Sequence, residues 1–66
     1  MQVWINGETR VLSPEMTIRQ LLVASRLEGR RVAVELNEQI VPRSQHDTFQ
    51  IRDGDRIEIV HAIGGG

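Results

Sequence analysis

Only one stretch of this chain has helical periodicity, and nearly every other apolar stretch alternates with period two. That contrast limits the fold more than any other feature of the sequence. Thr17-Ile18-Arg19-Gln20 has the form of a capping box, in which the Thr hydroxyl takes an orphan amide and Gln20 reaches back to Thr17. Behind it Ile18, Leu21, Leu22 and Leu27 supply one apolar stripe, while Arg19, Gln20 and Arg26 fall on the water side and Gly29 offers a stop. A single amphipathic helix has one face to bury, and the covering partner must come from strands.

The strands are readable on either side of it. Val3 and Ile5 point one way and Gln2 and Trp4 the other, and Asn6-Gly7 then supplies the two residues at positive φ that a type I′ hairpin turn needs. Thr9 to Leu12 returns as a second strand, and Ser13-Pro14-Glu15 breaks the pattern. After the helix, Val32-Ala33-Val34-Glu35-Leu36 alternates strictly, with Val32, Val34 and Leu36 inward. Asn37-Glu38-Gln39 turns the chain into Ile40-Val41, a short strand ended by Pro42 and therefore suited to an edge, because proline cannot donate to a ladder. Ser44 to Thr48 is polar and reads as a loop or a single helical turn, followed by Phe49 and Ile51 as apolar residues. Asp53-Gly54-Asp55 is a tight turn, and Arg56 to Ile63 is the last strand, with Ile57 and Ile59 inward. The order β-β-α-β-β-β predicts an α+β domain, a mixed sheet of four to five strands with one helix across one face.

Sixty-six residues make one small domain, and a chain of this size buries only about 60% of the surface it exposes unfolded. Its core is thin, with little room for an enclosed active site, which favours a carrier or binding module over an enzyme. No run approaches a membrane span or a secretory core, so a cytoplasmic, membrane-free setting is the default expectation. Cysteine is absent, which removes disulfides, cysteine-based metal sites and thiol chemistry from this chain. Charges of both signs are interspersed to a net −1, giving no basis for nucleic-acid binding. All eight basic side chains are arginine, so lysine-linked chains of this protein on itself are excluded.

The sequence closes on His61-Ala62-Ile63-Gly64-Gly65-Gly66, where a strand becomes three glycines. Backbone without side chains passes through channels closed to other residues and adopts conformations they avoid. We therefore read residues 1–63 as the folded domain and 64–66 as a flexible tail. Such a tail can thread a narrow channel in a partner enzyme through Gly64 and Gly65 and offer the Gly66 carboxylate for activation. A frayed end or a cloning scar is the bland alternative for such a segment.

Four features together resemble the ThiS family of ubiquitin-like β-grasp sulfur carriers: Met1-Gln2-Val3 leading to Asn6-Gly7; Asn37-Glu38-Gln39-Ile40-Val41-Pro42-Arg43; Asp53-Gly54-Asp55 before a hydrophobic strand; and Gly65-Gly66. The resemblance spans the chain. It implies a β-grasp fold and a carrier, not an enzyme, in thiamine biosynthesis. A ThiF-type adenylating enzyme would use ATP and magnesium to make the Gly66 acyl-adenylate, and a desulfurase would supply sulfur. The resulting thiocarboxylate would serve a ThiG-type thiazole synthase. The carrier itself would bind no cofactor, and a monomer is the simplest shuttle. Two features fall outside the match: Gly64 adds a third glycine, and Leu27-Glu28-Gly29-Arg30-Arg31 matches no family motif. Rival readings are the small subunit of molybdopterin synthase or another pathway's carrier, a ubiquitin-like protein modifier, and a passive interaction domain.

Trp4, Ala33, Val60 and Ala62 have the parity opposite to the core residues of their strands. They are expected on the open face of the sheet as a docking surface, a shallow second core being the alternative. His46 in its polar loop and His61 beside the tail lack a second ligand at metal spacing, so no metal site is assigned. Asp53 and Asp55 read as turn chemistry rather than a calcium loop. Arg30 and Arg31 read as solvated surface, with Arg43 a conceivable partner contact.

Overall fold

The computed structural model describes residues 1–61, and Ala62, Ile63, Gly64, Gly65 and Gly66 lie outside the described residues. Five strands and one helix are present: β1 (Gln2–Ile5), β2 (Glu8–Val11), α1 (Ile18–Ala24), β3 (Val32–Leu36), β4 (Gln39–Val41) and β5 (Arg56–His61), with a 3-10 turn over Arg43–Gln45. They form one mixed sheet in the order β2-β1-β5-β3-β4. β1 and β5 run parallel in the middle, and the other pairings are antiparallel. This is the ubiquitin-like β-grasp arrangement, with β1 and β5 drawn together from opposite ends of the sequence.

Both hairpins close through two-residue loops whose residues lie at positive φ: Asn6 at 51° and Gly7 at 83°, Asn37 at 52° and Glu38 at 69°. Such loops match the right-handed twist of the flanking strands. Asn-Gly is the expected chemistry at the first loop. At the second, Glu38 adopts a conformation that costs an L-residue roughly 1 kcal/mol.

The helix begins as the sequence predicts. Thr17 Oγ1 accepts from Gln20 N at 3.1 Å, and Gln20 Oε1 accepts from Thr17 N at 2.8 Å. The first two helical amides are satisfied from a distance, Ile18 N donating to Phe49 O at 3.0 Å and Arg19 N to His46 O at 2.9 Å. The 46–49 loop therefore lies against the helix start, where it supplies acceptors to donors that have none within the helix.

The helix stop is a correction. It falls at Ser25, with Arg26 left-handed at φ 61°, and not at Gly29. Leu27 N donates to Leu22 O at 2.8 Å and Arg26 N to Val23 O at 3.0 Å, which is the Schellman pattern built on an arginine. Gly29, at φ 77°, serves the following turn, closed by Arg30 N to Leu27 O at 3.0 Å.

Ile18, Leu21 and Leu22 from the helix meet Val3, Val34, Leu36, Val41, Ile57 and Ile59 from the sheet and Ile51 from the loop in one core. Leu27, Val32 and Phe49 pack at its edge, half-buried. Truncating a fully enclosed member such as Ile18 to alanine is an event of about 2–5 kcal/mol, comparable with much of the stability of so small a domain.

Candidate functional site

Because the helix covers one face of the sheet, the residues of opposite parity share the other. The strand register fixes which of them are neighbours. Ala33 lies opposite Val60, Glu35 opposite both Glu58 and Ile40, and Trp4 opposite Arg56 and Thr9. Trp4 is 38%, Val60 50% and Ile40 72% exposed. Ala33 and Val60 thus sit together on an open face near the end of β5 at His61, while Trp4 shares that face beside Arg56 at the start of β5. Ala62, read from the sequence as part of the same face, and Gly64, Gly65 and Gly66 lie outside the described residues. Ile40 joins the patch, and strict alternation on β4 was the signal for it, since Val41 is inward.

The face is apolar around a charged centre. Glu35 and Glu58 stand directly across from each other between β3 and β5, where side chains are near neighbours and like charges repel. Neither takes part in an ion pair among the described residues.

The two aspartates of the turn before β5 are structural. Asp53 Oδ1 accepts from Gln2 N at 2.7 Å. Asp55 is buried, with Oδ2 accepting from Arg52 N at 2.7 Å and Oδ1 from Asn37 Nδ2 at 3.0 Å. Both carboxylates hold backbone and turn, as their spacing suggested. His46, assigned to a polar loop, is buried, and its ring Nε2 lies 3.0 Å from Val41 O. A carbonyl can only accept, so Nε2–H donates and fixes the tautomer.

On the helix side, near the start of β3, Arg19 bridges two carboxylates, Nη2 to Glu28 Oε1 at 2.9 Å and Nη1 to Asp47 Oδ1 at 3.0 Å. The hydrogen bond to Asp47, then that carboxylate's charge, and the same effects from Glu28, raise the pKa of the guanidinium. Arg43 Nη2 donates to the Arg30 carbonyl at 3.2 Å. These groups line a cavity of about 400 Å³ together with Leu22, Leu27 and Val32. Val32 is the register partner of His61, so the cavity adjoins the root of the tail. His61 shares the inward parity of Ile57 and Ile59, yet it is exposed.

Among the described residues no helix is long and apolar enough to cross a membrane, and no group of three or more His, Asp or Glu side chains is placed to hold a metal. What this geometry offers is an open, partly apolar sheet face and a central strand that ends at His61.

Comparison with known proteins agrees with that picture. The solved structure of the thiamine biosynthesis protein ThiS from Geobacter metallireducens superimposes with a TM-score of 0.87 at 29% identity, over the whole of both chains. The sulfur carrier protein ThiS of Bacillus subtilis is 42% identical over 50 residues, 76% of each chain. A thiazole synthase of Paramagnetospirillum magneticum is 47% identical over all 66 residues, which are 20% of that protein. The chain thus spans about a fifth of the length of the thiazole synthases it matches. The model of the ThiS family matches residues 3–66. With the β-grasp sheet and this match from residue 3 through the glycines, the chain belongs to the ThiS family.

Proposed function

We propose that this protein carries sulfur as a thiocarboxylate on Gly66 for thiazole formation in thiamine biosynthesis. The observation that carries the reading is the family match from residue 3 through Gly66, on a fold whose last strand lies at the sheet centre and runs into that tail. A free carboxylate is a poor acyl donor because oxide would have to leave. A ThiF-type enzyme overcomes this with ATP and magnesium by forming the Gly66 acyl-adenylate and releasing pyrophosphate. Sulfur from a desulfurase then attacks the acyl carbon and AMP leaves with the former carboxylate oxygen. Where the donor is a persulfide, a thiol reductant cleaves the remaining S–S bond and frees the thiocarboxylate.

The chain's own residues contribute recognition. Gly64 and Gly65 thread the partner's active site, and Trp4, Ala33, Val60 and Ala62 dock on the partner's surface. Trp4, Ile40 and Val60 are large exposed apolar groups of that face. A partly exposed tryptophan offers more contact area than any other side chain and is enriched among binding hot spots. A ThiG-type thiazole synthase is the acceptor, supported by thiazole synthases that carry a segment resembling this whole chain within one polypeptide.

The test is intact mass after incubation with a ThiF-type enzyme, ATP, magnesium and a sulfur donor. Oxygen-for-sulfur exchange mapped to Gly66 is the expected result, and a Gly66→Phe variant should fold and stay unmodified. An unchanged mass, with the enzyme active on its own carrier, rejects the reading.

A further inference from the structure

The arginines of the 27–31 junction acquire a role from where the fold places them. Arg31 directly precedes Val32, and Val32 is the register partner of His61 at the root of the tail. Arg43 reaches the same place from the end of β4 and is held there by its 3.2 Å bond to the carbonyl of Arg30. Among the described residues, the carboxylates lining the adjoining cavity, Glu28 and Asp47, are both paired with Arg19 at 2.9 and 3.0 Å. Among the described residues, Arg30, Arg31 and Arg43 form no ion pair.

The charge is therefore unevenly distributed. Four arginines (19, 30, 31 and 43) against Glu28 and Asp47 leave +2 beside the tail root, so the rest of a chain of net −1 carries −3. A molecule polarised in this way orients in an external field before contact, and the cationic end, where β5 reaches His61, leads toward negative potential.

We propose that Arg30, Arg31 and Arg43 form a cationic platform that recognises carboxylate side chains around the mouth of the channel in the enzyme that takes up the tail. The inference rests on the carrier reading and adds to it the chemistry of the partner's rim. Arginine suits this contact because its planar fork pairs with carboxylate through two parallel hydrogen bonds. A protein surface fits better than a small phosphate-bearing ligand. The cavity between Arg30 and Arg43 is also lined by Glu28 and Asp47, which repel a polyanion, and Arg31 lies outside its lining. With Arg31 outside that lining, the three arginines do not share one closed anion pocket.

The test follows association of the full chain with a ThiF-type activating enzyme across a series of salt concentrations. It compares the wild type with Arg30→Glu/Arg31→Glu/Arg43→Glu and with the corresponding triple glutamine variant, each checked for native circular dichroism. Charge reversal should slow association about tenfold or more at low ionic strength and flatten its salt dependence. The glutamine variant should fall between, and the loading rate at saturating carrier should be retained in both. An association rate and salt dependence equal to wild type, with wild-type loading intact, overturns the platform and leaves the carrier reading standing. A wild-type chain that neither associates nor is loaded removes both. Submillimolar binding of inorganic pyrophosphate to the free chain, lost in the charge-reversal variant, would assign the arginines to a small anion and overturn the proposal.

Discussion

The side-chain amide of Asn6 exchanges two hydrogen bonds with the backbone of Ile59: Oδ1 accepts from Ile59 N at 2.9 Å and Nδ2 donates to Ile59 O at 3.3 Å. It extends the β1–β5 ladder by one rung after β1 has already turned away. Asn37, the matching residue of the second hairpin, secures the other end of β5. Its Oδ1 accepts from Arg56 N at 3.0 Å, and its own N donates to Arg56 O at 2.7 Å. The strand that leads to the tail is thus held by the turn residues of both hairpins, each an asparagine because the position needs positive φ and an amide at once.

Replacing Asn6 separates those two demands. Asn6→Gly keeps the turn and removes both bonds, leaving Ile59 N–H and C=O part-buried without these partners. It should destabilise the domain by about 2 kcal/mol, a fall in Tm of about 8–16 °C at this size. Asn6→Asp keeps the bond to Ile59 N and loses only the donated one, so it should fall between Asn6→Gly and wild type in thermal unfolding. Equal losses in the two variants would place the whole effect in the bond donated to Ile59 O, which both lack, and none in the bond accepted from Ile59 N.

Two positions point the other way. Arg26 closes the helix at φ 61° and Glu38 completes a hairpin at φ 69°, both conformations that glycine adopts without a Cβ penalty. Arg26→Gly and Glu38→Gly should each stabilise by about 0.5–1 kcal/mol, read as a higher midpoint in urea at unchanged slope. The sites lie in different elements with no hydrogen bond between them, so the gains should add. A destabilised Glu38→Gly would mean that its side chain makes a contact outweighing the strain.

The element order, the capping box, the inward residues and the open face were all legible, because period and turn chemistry are local properties. What escaped the sequence was tertiary or contrary to propensity. Gly29 offered a helix stop, yet the chain turns at Arg26, because Leu27 reaches the core edge only if the helix ends there. His46 sits in a polar run and is buried, since its partner Val41 O is brought beside it by the 3-10 turn. The Arg19 bridges join residues 9 and 28 positions away, beyond any helical spacing rule. Of the site, the face was legible by parity; the facing of Glu35 and Glu58 needed the β3–β5 register, which no local signal encodes.

That facing pair has a measurable consequence. Glu35 and Glu58 repel across the sheet, so Glu58→Gln should raise stability by about 0.2–1 kcal/mol at low ionic strength. Salt screens exposed charges, with a Debye length of about 3 Å at 1 M, so the difference between variant and wild type should shrink as salt is added. Thermal unfolding of both proteins across a salt series tests this, and a difference independent of salt would show that something other than repulsion separates them.

The open face and the outer face of the helix can be told apart by function. Trp4 and Val60 are exposed on the sheet, while Val23 is 47% exposed on α1, close to the 50% of Val60. If the sheet face docks on the enzymes that handle the tail, Trp4→Ala should weaken binding to a ThiF-type enzyme by about 2 kcal/mol, or about thirtyfold in Kd. Val60→Ala should have a smaller effect of the same sign, and Val23→Ala should leave affinity within twofold of wild type. Calorimetric titration of each variant against the enzyme reads all three, with thermal unfolding run in parallel to separate lost contact from lost fold. A Val23 variant weakened as much as the Trp4 variant would move the docking surface from the sheet to the helix, and an unaffected Trp4 variant would remove the tryptophan from the interface.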